Sequence, residues 1–178
     1  MPRLYAFLRA INVGGHTVTM ARLRELFEEL GLTGVETFIA SGNVIFDSSS
    51  KSPGALEKKI EAHLEDALGY EVKTFIRTAP ELVALAAHKA FPEVRVQAAR
   101  AYCVGFLNQP LDAAARKALD GLKTAIDDFH LNGREIYWLC KVGQSESKFS
   151  NMVFEKTTKA RVTFRGANTV AKLAAKVK

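Results

Sequence analysis

Short apolar runs alternate with helix-like stripes along this chain, and the order in which they do so occurs twice. In the first half, four runs are typical of strands: Leu4–Leu8, Val35–Ala40, Val44–Phe46 and Val72–Ile76. Thr19 is placed to cap a first helix, which we expect Gly31 and Gly34 to end. Ser52-Pro53 is a typical start for a second helix, and Gly69 stops it. The order strand–helix–strand–strand–helix–strand is that of the split βαβ unit of ferredoxin-like folds.

The second half repeats this order. Its predicted strands are Ala101–Leu107, Ile126–Leu131, Ile136–Cys140 and Arg161–Phe164, and its predicted helices are Asp112–Lys123, Ser147–Lys156 and a last helix capped by Asn168. Asn132-Gly133 is a strong hairpin signal. We therefore predict an α+β fold, a tandem duplication of a ferredoxin-like β-α-β-β-α-β unit with antiparallel sheets. No residue-level repeat is visible, so the predicted duplication is one of topology.

The predicted boundaries place the first ferredoxin-like half at residues 1–78 and the second, with a C-terminal helix, at 101–178. Residues 79–100 would form a linking helix and a connector. Thr78-Ala79-Pro80-Glu81 has capping-box spacing before a helix through Leu85. Phe91–Arg100 is a polar connector that contains Pro92.

The positive charge of the chain is unevenly placed. The net charge is +6; residues 141–178 hold nine basic and two acidic residues, whereas residues 1–140 hold sixteen basic and seventeen acidic ones. The whole excess therefore comes from the last fifth of the chain. Two interpretations stand: a solvated basic helix with a lysine-rich tail, or a patch that faces an anion or nucleic acid.

Cysteine use and hydropathy restrict the cellular context. Cys103 and Cys140 both lie in apolar surroundings, which predicts buried free thiols and a cytoplasmic location. No apolar run approaches the roughly 20 residues that span a bilayer. The N-terminal run Leu4–Leu8 is interrupted at once by Arg9, unlike a secretory signal, so no membrane partner is predicted.

Handedness places two polar segments of the first half together. With right-handed crossovers, the end of the first strand lies at the same sheet edge as the turn between strands two and three. That edge would gather the candidate ligand-binding residues Arg9, Asn12, Gly14, Gly15, Ser41, Gly42 and Asn43. The glycines and asparagines could instead serve only the turns. Arg9 directly follows an apolar strand, so its charge must reach solvent, an acid or a ligand.

A second group of polar residues meets at the opposite edge of the second half. There the strand ends bring together the candidates Ser147, Lys148, Arg165, Asn168 and Thr169. Both loops are predicted to run into helix N termini, which present unpaired N–H groups and partial positive charge to a phosphate or carboxylate. The alternative is that these residues are ordinary helix caps and solvated bases.

The motifs of the first half resemble those of the DUF1697 family, bacterial proteins of unassigned function. The resemblance rests on Leu8-Arg9-Ala10-Ile11-Asn12-Val13-Gly14-Gly15 and Ser41-Gly42-Asn43-Val44-Ile45-Phe46, and it continues at Ser147-Lys148 and Arg165. It implies a duplicated ferredoxin-like α+β fold and no reaction or cofactor. Two departures stand out: the family usually has glycine where Ala10 stands, and asparagine and tryptophan where Gly166 and Ala167 stand.

Known catalytic motifs are missing from the sequence. It has no GxxxxGK[ST] loop, GxSxG elbow or HExxH pair, and the histidines His16, His63, His88 and His130 are scattered without metal-ligand spacing. Asp127-Asp128 is expected to be a solvated turn. No metal site is predicted, and the sequence assigns no catalytic residue, cofactor or oligomeric state.

The hypothesis that these features favour is binding of a phosphate-bearing or other anionic ligand, a nucleotide or nucleic acid, at the two loop edges. One alternative is an enzyme that acts on a small anionic substrate. Another is a protein-interaction or assembly module, in which the loops serve only the fold. Sequence-specific RNA reading is disfavoured because no RNP sequence surrounds Tyr5 and Phe7.

Overall fold

A computed structural model describes residues 1–11, 15–39 and 42–177 of the chain. They divide into two compact units, one of Met1–Val83 together with Val177, the other of Ala84–Lys176. Each unit contains one four-stranded sheet.

The first unit has the predicted order of elements. They are β1 (Arg3–Leu8), α1 (Met20–Glu28), β2 (Thr33–Thr37), β3 (Asn43–Asp47), α2 (Pro53–Leu68) and β4 (Thr74–Thr78), followed by α3 (Ala79–Ala87). The sheet order is β2-β3-β1-β4, and every neighbouring pair is antiparallel. This is the arrangement of a ferredoxin-like unit.

The helix ends of the first unit follow the sequence signals. The Thr19 hydroxyl accepts a hydrogen bond from the Arg22 N–H (3.1 Å), and the Ser52 hydroxyl accepts one from the Ala55 N–H (3.3 Å). Gly69 ends α2 with a φ of 83°, in the left-handed region. The capping box at Thr78 is reciprocal: Thr78 N–H donates to Glu81 Oε2 (3.0 Å), and Glu81 N–H donates to Thr78 Oγ1 (3.3 Å).

The second unit repeats the order. After the short α4 (Glu93–Ala98) come β5 (Ala101–Phe106), α5 (Ala113–Asp120), β6 (Asp127–Asn132), β7 (Glu135–Cys140), α6 (Asn151–Thr158), β8 (Thr163–Gly166) and α7 (Ala167–Ala175). The sheet order β6-β7-β5-β8 is equivalent to that of the first unit. The predicted hairpin is confirmed, with Gly133 at a φ of 59° between β6 and β7. The duplicated α+β fold predicted from the sequence is therefore confirmed.

One face of each sheet packs against its helices. In the first unit, Leu4, Ala6 and Leu8 of β1 pack with Leu23 and Phe27 of α1 and with Ile60 and Leu64 of α2. In the second, Cys103, Ile136 and Trp138 pack with Leu119 of α5 and Phe154 of α6. The two cysteines are free and buried, as predicted.

Three predicted helix boundaries are wrong. Gly34 does not end α1 but lies in β2 with a φ of 60°. Because glycine has no Cβ, the Asp47 carboxylate fits beside it. Helix α6 begins at Asn151, capped by Ser150, because the Ser147 hydroxyl is already bonded to Asp127. The N-cap position of α7 is Gly166 rather than Asn168, because β8 runs directly into the helix.

Candidate functional site

The first loop edge is formed as the topology requires. The Leu8 N–H donates to the Gly42 carbonyl (2.8 Å), and Phe7 pairs with Asn43. The Arg9 N–H donates to the Lys73 carbonyl (2.9 Å), which brings the segment before β4 to the same place. The structure therefore brings Arg9 and Asn43 to one edge. The candidates Asn12, Gly14 and Ser41 lie outside the described residues.

Two of the candidates at this edge have structural roles. Asn43 is buried, and its Nδ2 donates to the Phe38 carbonyl (2.8 Å), so its amide holds the turn before β3. Gly42 has a φ of 81°, and an added Cβ would lie 3.1 Å from the Ile11 Cβ. These two residues fix the backbone of the edge. Arg9 is half-buried, and Gly15, with a φ of 83°, is exposed.

The backbone of this edge is strained at two non-glycine residues. Ala10 has a φ of 69° and Ile39 a φ of 60°, and Ile39 is 51% exposed. The left-handed region costs an L residue roughly 1–2 kcal/mol. Strain of this kind clusters at binding and switch sites, so it marks the edge as a place to test. It does not identify a ligand.

The second loop edge contains a cavity of about 630 Å³. Its walls come from the start of β5, the loop after β7 and the first residues of α7. Ala101 pairs with Cys140, and Cys103 pairs with Gly166, so the ends of β7 and β8 lie on either side of the start of β5. The residues that line it include Arg100, Tyr102, Gln144, Gly166, Ala167 and Asn168.

The N terminus of α7 forms one wall of this cavity. Because Gly166 at the N-cap has no side chain, it cannot accept a hydrogen bond from the N–H groups of the first turn. These N–H groups have no partner within the helix and carry partial positive charge. Ala167 and Asn168, the first two helical residues, line the cavity. The open end of the helix therefore lies at the cavity wall.

Side chains around the cavity supply charge and hydrogen-bond donors. Arg100 is exposed, and its backbone N–H donates to the Cys140 carbonyl (3.0 Å), which fixes its place beside the loop after β7. The Gln144 amide donates to the Cys103 sulfur (2.8 Å). Burial raises the pKa of the Tyr102 phenol, which stays protonated at neutral pH. The lining therefore combines one cationic side chain, several polar ones and apolar surface.

The predicted candidates of this edge divide into three groups. Asn168 lines the cavity, and Thr169 follows it in α7. Lys148 is exposed on the loop before α6. Arg165 is buried, and its Nη1 donates to Thr163 Oγ1 (2.6 Å) and to the Phe164 carbonyl (3.0 Å). Burial lowers the pKa of this guanidinium to about 10, which leaves it charged at neutral pH.

Ser147 belongs to a buried network and does not cap α6. Its hydroxyl donates to Asp127 Oδ2 (2.7 Å) and accepts from the Phe149 N–H (3.0 Å), while Trp138 Nε1 donates to Asp127 Oδ1 (2.8 Å). Asp127 is buried at the start of β6, and Asp128 beside it pairs with Arg95 (3.0 Å). The expectation of a solvated Asp127-Asp128 turn is therefore wrong, because strand pairing turns Asp127 inward.

The cysteine beside the cavity is not a nucleophile. Burial, together with Cys140 nearby, raises the pKa of the Cys103 thiol to about 12, so the thiol is protonated at neutral pH. A thiolate is the reactive form of cysteine. Among residues 1–11, 15–39 and 42–177, no group of three or more His, Cys, Asp or Glu side chains is placed to hold a metal ion.

No sequence pattern predicts the pairing of two histidines. His88 and His130 are separated by 42 residues, yet their Nε2 atoms lie 3.1 Å apart in the second unit. Only the return of the connector over β6 brings them together.

Comparison with known proteins identifies a family and a fold. The family described as a protein of unknown function (DUF1697) matches residues 1–137. The solved structure of conserved bacterial protein SP0830 from Streptococcus pneumoniae is similar over 99% of this chain and 98% of that chain, with a TM-score of 0.75 and 24% sequence identity. At that identity the likeness shows the fold alone. No curated protein matches the chain.

In the part of the chain that the structure describes, none of the helices has the length and hydropathy needed to cross a bilayer.

Proposed function

We propose a function for this chain, which belongs to the DUF1697 family of proteins of unknown function: it binds a phosphate-bearing or carboxylate ligand in the cavity of the second unit. The observation that carries the proposal is the uncapped N terminus of α7 at the wall of a cavity of about 630 Å³. Helix N termini with free N–H groups are favourable sites for phosphate and carboxylate groups.

Charge supports an anionic ligand. Arg100 lines the cavity, and residues 141–178, which form most of its other walls, carry nine of the 25 basic residues and two of the 19 acidic ones. A cationic region attracts anions over a Debye length of about 8 Å at physiological salt. Glu146 lies nearby, but its carboxylate already accepts the Gly143 N–H (3.0 Å).

Cavity size supports a ligand larger than a simple ion. Small-molecule sites commonly enclose about 300–1,000 Å³, and this cavity falls within that range. The half-buried ring of Tyr102 lines it and offers an apolar face beside the cationic end. A nucleotide, or the end of a nucleic acid strand, combines a phosphate with a ring that could lie against Tyr102.

Small residues keep the cavity open. Gly166 and Ala167 both line it, at the two places where the sequences that this chain resembles usually have asparagine and tryptophan. A tryptophan at position 167 would take up part of the space. We therefore expect this chain to accept a bulkier ligand than such relatives do.

Binding is favoured over catalysis at this site. The polar side chains that line the cavity are an arginine, a tyrosine, a glutamine, a serine and an asparagine, which bind anions but are poor general bases near neutral pH. Enzymatic action on the ligand would need a general base from elsewhere to activate a hydroxyl such as that of Ser145. An increase of product over time in the binding assay would favour the enzyme alternative.

Substitution of Gly166 tests the proposal. In Gly166→Asp, the new carboxylate would cap α7 and compete with a bound anion, whereas Gly166→Ala leaves the helix end uncapped. The φ of Gly166 is −58°, and an added Cβ meets no atom within 4 Å, so both variants should fold. We expect Gly166→Asp to raise stability by about 0.5 kcal/mol and to weaken anion binding at least about tenfold.

The probes are inorganic phosphate, a panel of mononucleotides and a short single-stranded oligonucleotide, titrated by calorimetry at two salt concentrations. Equal affinity in the aspartate and alanine variants would contradict the proposal. If no probe binds even at low salt, the interaction-module alternative gains support. A steep salt dependence for the oligonucleotide alone would indicate nucleic acid.

The first loop edge, in the first unit, is a separate candidate site for such a ligand. Arg9→Ala should weaken binding only if the ligand is held at that edge, and Lys148→Ala serves the same purpose for the exposed loop before α6. Unchanged affinity in Arg9→Ala, together with loss in Gly166→Asp, would assign the ligand to the cavity alone.

A further inference from the structure

A hydrogen bond joins two histidines at the point where the connector meets the second sheet. Nε2 of His88, directly after α3, lies 3.1 Å from Nε2 of His130 on β6, and the ring planes are inclined by 25°. One imidazole nitrogen must donate and the other accept. The contact therefore requires at least one neutral ring, because two imidazolium rings have only donors to offer.

Aromatic rings surround the pair. Tyr137 on β7 lies 5.3 Å from His88, and Phe91 lies 6.3 Å from His130, in both cases between ring centroids. Both histidines are half-buried. A second positive charge at this place would be poorly hydrated and would lie directly against the first.

The pair attaches the connector to β6. In the structure the connector is residues 88–99, and it includes α4, a six-residue helix with no buried residue. It is also held by Arg95, which pairs with Asp128 of β6 (3.0 Å), and by the buried ring of Phe91, whose centroid lies 6.1 Å from that of Tyr102 on β5. Val96 and Ala99 of the connector line the cavity described above.

We propose that the His88–His130 hydrogen bond is a pH-sensitive clasp, which holds the connector against β6 at neutral pH and releases it when acidification protonates both rings. Release would loosen the cavity wall that Val96 and Ala99 form. The clasp stands on the histidine geometry alone and does not depend on the proposed ligand.

The charged groups around the pair act in opposite directions. Lys123 before β6 and Arg95 of α4 oppose a second proton, and Asp128 favours it, although that carboxylate is already paired with Arg95 (3.0 Å) and Lys123 (3.6 Å). Glu135 of β7 lies nearer Tyr137, whose pKa is raised mainly by burial, so the phenol is neutral throughout. Burial makes the largest contribution to the lowered pKa of His130, and the nearby His88 and Lys123 lower it further.

The direction of the pH effect follows from this lowering. A histidine whose pKa is lower in the folded state contributes stability that is fully present above its unfolded value, about 6.5. That contribution is lost as the pH falls through the lowered folded value. The Asp128–Arg95 pair persists to lower pH than an ordinary aspartate pair, because hydrogen bonds from Arg95 and from the Phe129 N–H lower the pKa of Asp128.

Side-chain nitrogen NMR of the wild-type protein tests the clasp directly. At pH 7.5 we expect one Nε2 of the pair to carry hydrogen and the other to lack it, and the two rings to take up protons in two separate steps. If His88 and His130 each titrate in a single independent step near pH 6.5, the clasp is refuted.

Hydrogen exchange tests the release of the connector. After correction for the intrinsic rate, protection of residues 88–99 should fall from pH 7.5 to pH 5.0, by about eightfold for a pKa of the second proton lowered by one unit and by at most about thirtyfold, because the ordinary histidine pKa of about 6.5 lies only 1.5 units above pH 5.0. His130→Gln, which cannot gain charge, should show no such fall. Arg95→Gln should lower protection at both pH values but with a smaller fall on acidification than in wild type, because it removes a positive charge that opposes the second proton and leaves Asp128 to favour it. The same pH dependence in His130→Gln as in wild type would overturn the proposal.

Discussion

Ala10 illustrates how one residue departs from its local backbone preference. Its φ of 69° is in the left-handed region, which glycine adopts far more readily than alanine. The two residues before it are held by hydrogen bonds to the neighbouring segments, from Leu8 to Gly42 and from Arg9 to Lys73. The tertiary contacts therefore impose the strained conformation on alanine.

Replacing Ala10 with glycine should stabilise the protein. We expect Ala10→Gly to raise the free energy of unfolding by about 1 kcal/mol, because relief of left-handed strain outweighs the added flexibility of the unfolded chain. Urea denaturation measures this change. The converse variant, Gly31→Ala, should cost about 1 kcal/mol, since Gly31 has a φ of 82° with open space for a Cβ. A loss of stability in Ala10→Gly would contradict the strain argument.

Asp127 shows the opposite case, a polar residue whose surroundings are decided far along the chain. Its carboxylate accepts from Trp138 on β7 and from Ser147 in the loop before α6. Two adjacent acidic residues are ordinarily solvated, and only the pairing of β6 with β7 turns the first inward and leaves the second beside Arg95.

Two helices protect the edge strands of the two sheets in the same way. Glu57 of α2 accepts the Ile76 N–H of β4 (2.8 Å), and Glu155 of α6 accepts the Val162 N–H just before β8 (2.9 Å). Both β4 and β8 lie at a sheet edge, where unpaired N–H groups invite pairing with another chain. The glutamate and the N–H group that it accepts are 19 residues apart in the first unit and 7 apart in the second, so no sequence repeat predicts that the two units share this contact.

Removing one of these carboxylates should destabilise its unit. We expect Glu57→Ala to lower the free energy of unfolding by about 1–3 kcal/mol, because the buried Ile76 N–H loses its acceptor. Glu57→Gln keeps an acceptor oxygen and should cost less. Thermal and urea unfolding of the two variants supply the comparison. Equal losses in the alanine and glutamine variants would assign the effect to the charge of the carboxylate, because glutamine keeps both the packing and an acceptor oxygen.

The two units share one topology but differ in what their loops carry. The sheet orders are equivalent, yet only the second unit has a helix, α7, that starts directly at the end of its last strand with a glycine N-cap. In the first unit the corresponding helix, α3, begins with the reciprocal capping box of Thr78 and Glu81. The two units therefore have the same topology, but the helix that follows the last strand is capped by side chains in the first unit and not in the second.

The buried thiols provide a probe of how the whole second unit opens. Cys103 and Cys140 are about 1% and 0% exposed, and burial raises the pKa of both thiols, that of Cys103 to about 12. We expect neither to react with a disulfide reagent at pH 7.5 except during unfolding of the core. Labelling followed by mass spectrometry should give two slow modifications with one common rate. Rapid labelling of either cysteine would show that its strand opens locally.

The sequence by itself determined the order of the elements, most helix starts, the hairpin at Gly133 and the burial of both cysteines. These features depend on residues close together in the sequence. A capping side chain bonds an N–H group two or three positions away, and the spacing of apolar residues within one helix defines its buried face. Once the order was known, handedness alone placed Arg9 and Asn43 at one edge.

Only the tertiary structure decided which polar residues are available to a ligand. The polar side chains of Arg165 and Ser147 form hydrogen bonds within the second unit. Gly166 has no side chain, and it therefore leaves the N terminus of α7 without a side-chain cap. The His88–His130 contact likewise joins residues 42 positions apart. Hydrogen-bond partners and burial depend on residues distant in the chain, and local spacing carries no information about them.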